Sequence, residues 1–78
     1  MAAEAAEILD ARGLKCPLPV LKAEKRLATL PDGASLVVLA TDPMARVDIP
    51  LYCRRQGFDC SEQRDGQTLR FTIVKRTA

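Results

Sequence analysis

This 78-residue sequence predicts an α/β (α+β) two-layer sandwich, ordered β-α-β-α-β-β, with two helices on one face of a four-stranded sheet. Three observations predict it. Apolar residues recur at helical spacing from Val20 to Leu30, directly after two prolines. Ser35-Leu36-Val37-Val38-Leu39-Ala40 is an unbroken β-prone run that suits a strand buried centrally in a sheet. Asp65-Gly66 is a strong hairpin signal between two strand-like segments.

Each element has its own justification. Residues 1–78 form one domain, with 1–6 expected to be a flexible N-terminal stretch and Glu7 to Asp10 a short first strand. Gly13 supplies the positive φ that a sharp turn often needs. Pro17 suits a first helical position, where its missing N–H would be unpaired anyway, and Pro19 still lies in the first turn. The first helix then runs from about Pro17 to Leu30, with Val20, Ala23, Leu27 and Leu30 on its apolar face. Pro31-Asp32-Gly33 stops it. After the second strand, Thr41 or Asp42 caps a second helix, and Pro43 fits its first position. That helix reaches Gln56, with Gly57 just past its end. Pro50 is awkward inside it. Either the helix kinks there, or a first turn ends early and Asp48 recaps a shorter helix; the second is expected. Phe58 to Gln63 and Thr68 to Lys75 complete a hairpin. The crossover between the first two strands should be right-handed, so both helices begin at the same sheet edge. Cys16 and Thr41-Asp42-Pro43 are thereby expected to be neighbours.

Composition excludes several functions. Twelve basic and ten acidic residues leave a net charge of +2, too balanced for nucleic-acid binding by bulk electrostatics. The three aromatics, Tyr52, Phe58 and Phe71, offer no stacking platform. There is no histidine and no Cys-X-X-Cys, so imidazole-based catalysis and the usual zinc patterns are out, and no metal is expected. An odd number of cysteines, Cys16, Cys53 and Cys60, argues against a disulfide framework. The first seven residues lack a basic and an apolar region, so no signal peptide is expected, and no apolar run is long enough to span a membrane. Free thiols then point to a reducing cytoplasm.

The chemistry concentrates in Asp10-Ala11-Arg12-Gly13-Leu14-Lys15-Cys16-Pro17-Leu18-Pro19. A thiol at a helix N-terminus meets roughly half a positive charge, which favours the nucleophilic thiolate. Arg12 and Lys15 add positive charge, the Leu18 amide is a remaining donor, and the prolines stiffen the backbone around the sulfur. Cys16 is therefore expected to be a low-pKa nucleophile. Singly, Arg12 and Lys15 read as solvated charges. Asp10 reads as orienting Arg12 or pairing with the strand end, and Asp42 as a cap rather than an acid. Cys53 and Cys60 read as core thiols. Lys22, Lys25 and Arg26 form the exposed side of the first helix, a solvated face or a dock for an acidic donor protein.

These residues resemble the TusA-like (SirA-like) sulfur-carrier family. Asp10, Arg12, Gly13, Leu14, Cys16, Pro17 and Pro19 match its first motif, and Asp42-Pro43, Asp48-Ile49-Pro50 and Cys53 its second. The resemblance implies a mixed sheet of order 1-2-4-3 with the last strand antiparallel to the others. It also implies a sulfurtransferase that takes persulfide sulfur on Cys16 from a cysteine desulfurase or rhodanese-like donor and relays it to an acceptor thiol. The family's downstream routes are tRNA thiolation, molybdenum cofactor assembly and sulfur oxidation. The cargo is the covalent persulfide, and no other cofactor is implied. Direct nucleic-acid or membrane contact is not expected, and nothing demands more than a monomer. The competing reading is a non-catalytic regulatory or protein-binding module on the same fold, with Cys16 only a cap residue.

Overall fold

The structure is a computed structural model in which residues 7–76 are described; the expectation for residues 1–6 lies outside them. The elements are β1 (Glu7–Ala11), α1 (Leu18–Ala28), β2 (Ser35–Ala40), α2 (Ala45–Gln56), β3 (Asp59–Asp65) and β4 (Thr68–Val74). The sheet order is β1-β2-β4-β3, as the resemblance implies. β1 pairs parallel with β2, while β4 runs antiparallel to both β2 and β3.

The apolar run of β2 is central because both its edges are paired. Its alternate residues Leu36, Val38 and Ala40 meet Ile73, Phe71 and Leu69 across the β2–β4 ladder, and all six are buried. The helices cover this face with Ala23 and Leu27 from α1 and Ala45, Ile49 and Cys53 from α2. Burying a side chain the size of Leu, Ile or Phe stabilises the fold by about 1.5–3 kcal/mol. Cys53 joins this core as expected, whereas Cys60 is only half-buried against it.

α1 is shorter than its sequence pattern at both ends. Pro17 is the cap rather than the first helical residue, and Thr29 closes the C-terminus. The Lys75 ammonium donates to the carbonyl oxygens of Leu27 (2.7 Å) and Leu30 (2.8 Å), satisfying acceptors that a helix end leaves free. Nothing in the local sequence of α1 announces this long-range cap.

α2 corrects the expectation for Pro50. The helix runs unbroken from Ala45, and Asp48 sits in its first turn instead of recapping a shorter helix. Winding is already under way before Asp48. Ala45 donates to the Asp42 carbonyl, Arg46 to Pro43, and Val47 and Asp48 to Met44, at 2.9–3.1 Å. The N–H that Pro50 lacks would have met the carbonyl of Arg46, an exposed residue. Pro43 belongs to the turn before the helix. Gly57 ends α2 in the left-handed region (φ 80°), and Phe58 N–H returns to the Cys53 carbonyl at 2.9 Å.

Phe71→Ala empties the centre of the core, and urea denaturation should show a loss of about 3–5 kcal/mol. Gly57→Ala meets no neighbouring atom but keeps a left-handed backbone, so the same measurement should show a loss of about 1–2 kcal/mol. Lys75→Met removes the ammonium from both helix-end carbonyls, and while Leu27 keeps its bond from Leu30 N–H, the expected loss is still about 1–3 kcal/mol.

Candidate functional site

β1 and β2 end side by side, with Ala11 opposite Ala40. The loop entering α1 and the loop entering α2 therefore leave one sheet edge together, as the crossover argument requires. Three hydrogen bonds lock them. Gly13 N–H donates to Thr41 Oγ1 at 2.9 Å, Cys16 N–H to Asp42 Oδ2 at 2.5 Å, and the Cys16 thiol to Asp48 Oδ2 at 2.6 Å. Gly13 makes the turn that allows this, with φ 83°. Asp42 spans the join, since its Oδ1 also accepts from Met44 N–H at 3.3 Å. It thus ties the α1 loop to the approach of α2, and the helix cap itself, Met44, has no side-chain bond.

Cys16 is exposed. The peptide bond from it to Pro17 is cis. Pro17 and Lys15 are exposed, and Pro19 lies on the buried face of α1. An open cleft of about 460 Å³ lies between the two loops, lined by Gly13, Leu14, Lys15, Thr41, Asp42 and Pro43. Leu18 and Leu21 on α1, Met44 before α2, and Val47 and Leu51 on α2 expose large apolar side chains.

The electrostatics reverse the expectation of a low-pKa thiol. The Cys16 pKa is raised, first by its hydrogen bond to Asp48, then by desolvation and the charges of Asp48 and Asp42. The sources of positive charge are engaged elsewhere. Leu18 N–H donates to the Lys15 carbonyl at 2.8 Å rather than toward the sulfur. Arg12 grips Asp10 through two side-chain hydrogen bonds of 2.8 Å and donates its own N–H to it at 3.1 Å. That grip holds the Asp10 carboxyl down to about 2 and raises the Arg12 pKa in return. Asp10 therefore orients Arg12, and the pair stands apart from the thiol's hydrogen bonds.

The structure thus brings Cys16 together with Asp42, Asp48, Gly13 and Thr41, and leaves Asp10 and Arg12 as a separate pair. Asp48 is the residue whose place beside the thiol the sequence reading missed. The available signal was an acid one turn into a helix that starts at the same edge as Cys16. The Cys53 and Cys60 thiols act on each other, which pushes the Cys53 pKa up and the Cys60 pKa down. On α1, Arg26 pairs with Glu7, while Lys22 and Lys25 are exposed beside it. Among the described residues, no three His, Cys, Asp or Glu side chains gather as metal ligands, and no helix is long and apolar enough to cross a membrane.

Comparison with known proteins gives the family. Residues 7–75 match the family model described as Sulfurtransferase TusA. A Neisseria meningitidis serogroup A protein with a provisional sulfur-carrier name is 51% identical over 71 residues, covering 87% of this chain and 90% of that one. The sulfur carrier protein TusA of Pseudomonas putida F1 is 41% identical over 70 residues, 88% of each chain. The crystal structure of a SirA-like protein from Desulfitobacterium hafniense superposes with a TM-score of 0.81 at 29% identity, covering 90% of this chain and 97% of that one. The matches run through the Cys16 loop, both helices and the whole sheet, and by them the chain belongs to the TusA family of sulfur carriers.

Proposed function

We propose that Cys16 accepts persulfide sulfur from a donor protein, a cysteine desulfurase or a rhodanese-like protein, and relays it to an acceptor thiol. The observation that carries this reading is a single exposed thiol at the sheet edge of a sulfur-carrier family member. In the loading step, the Cys16 sulfur attacks the outer sulfur of the donor's persulfide. A new S–S bond forms, the donor's S–S bond breaks, and the donor cysteine leaves with that electron pair and the proton from Cys16. Nothing is oxidised or reduced overall. In the unloading step, an acceptor thiolate attacks the outer sulfur, and Cys16 is the leaving group.

This chemistry asks for an accessible sulfur and no cofactor beyond the persulfide itself, and the exposed Cys16 meets that demand. Gly13, Pro17 and Pro19 hold its loop, Arg12 and Asp10 brace the strand end behind it, and exposed Lys15 faces an arriving partner. The cytoplasm, where thiols stay reduced, is the compartment this function needs. The acceptor would belong to tRNA thiolation, molybdenum cofactor assembly or sulfur oxidation. One observation favours the alternative, a non-catalytic binding module: the Cys16 thiol is harder to ionise than a free cysteine.

Intact mass after incubation with a cysteine desulfurase and cysteine decides between them. Wild type should gain one or more sulfur atoms, removable by reductant, and Cys16→Ser should gain none. Sulfur retained by Cys16→Ser would move the site to Cys53 or Cys60. No uptake by wild type, from the enzyme or from polysulfide, would establish the binding-module reading.

A further inference from the structure

The carrier reading leaves one arrangement without a purpose. The thiol meant to act as a nucleophile donates its proton to Asp48 at 2.6 Å, and its backbone N–H lies 2.5 Å from Asp42. The carboxylates come from the first turn of α2 and from the loop before it. The charged groups nearest in sequence are Lys15, which is exposed, and Arg12, which Asp10 already neutralises. No cation in the described residues is hydrogen-bonded to Asp42 or Asp48.

We propose that Asp48 is a positioning residue that holds the unloaded Cys16 sulfur in its S–H form, so that the free carrier is quiet toward small electrophiles. A carboxylate a hydrogen bond away stabilises the thiol over the thiolate, because ionising the sulfur sets two negative charges side by side. The raised Cys16 pKa has the same cause, the hydrogen bond to Asp48 first and then desolvation and the two carboxylate charges. Loading then requires a partner that offsets the carboxylates, which a Lys or Arg beside the donor's persulfide does by pairing with Asp42 or Asp48. The same repulsion acts on a loaded persulfide anion beside Asp48. This inference rests on the carrier reading for its purpose, but its test uses no sulfur donor, so the two fail separately.

The experiment is the rate of Cys16 alkylation by iodoacetamide as a function of pH, read on the Cys16 peptide by mass spectrometry. The wild-type midpoint should lie above the ordinary free-thiol value of about 8.5. Asp48→Asn should move it down. Each unit of movement raises the thiolate fraction about tenfold at neutral pH, and the lower intrinsic nucleophilicity trims that to about threefold in rate. Asp48→Glu keeps the charge and should retain the high midpoint. A wild-type midpoint at or below about 8.5 overturns the proposal without any variant. Coincident profiles for wild type and Asp48→Asn overturn it too, as does an Asp48→Glu profile that follows Asp48→Asn.

Discussion

Two parallel strands joined through a helix must end at the same edge of their sheet, and everything notable in this protein follows from that constraint. β1 and β2 are such a pair, in register from Glu7 opposite Leu36 to Ala11 opposite Ala40. Their shared ending sets the start of α1 beside the start of α2. A loop that carries a thiol thereby meets a loop and a helix turn that carry two carboxylates, 26 and 32 residues further along the chain. No local conformational preference arranges that meeting. The buried ladder between β2 and β4, with the helices packed upon it, keeps the two loops in place.

Charge around the sulfur is decided by competition rather than by inventory. The loop holds more basic than acidic groups near Cys16 in sequence, yet the thiol is surrounded by acid in space. Arg12 is captured by Asp10 two residues away, since a bidentate guanidinium–carboxylate pair is a stronger match than a distant sulfur. The amide of Leu18, the donor expected to favour a thiolate, turns back to Lys15 to close the first turn. A helix N-terminus stabilises an anion only through the N–H groups that point at it, and two of the first residues here are prolines. The dipole argument fails at this helix because its donors are missing or engaged.

The architecture was legible in the sequence where single elements obey local rules. The 35–40 run and the Gly57 stop describe chain segments that need no distant partner, and they stand where the sequence placed them, while the hairpin turn falls one residue later than Asp65-Gly66, at Gly66-Gln67, with Asp65 still paired to Thr68. The strand order came from the family resemblance, not from periodicity. Pro50 was misjudged because proline was weighed against helix geometry alone. Winding that is already under way from Asp42 to Val47 puts Pro50 past the first turn, and the helix runs on although it gives up the i→i−4 bond to the Arg46 carbonyl. The place of Cys16 just before α1 could be read from its neighbours in sequence. The roles of Asp48 and Lys75 could not, because each acts on a residue more than 30 positions away.

The placement of β4 has a consequence for how the chain reaches this state. The last strand in sequence lies between β2 and β3, and it supplies Leu69, Phe71 and Ile73 to the floor on which both helices rest. Residues 7–56 already contain the thiol loop and both carboxylates, but their sheet is two strands wide with half a floor. During synthesis the carrier loop is therefore made early and assembled late. A chain still emerging has its cysteine without the geometry that governs it, and the two arrive together only when residues 68–74 slot into the middle.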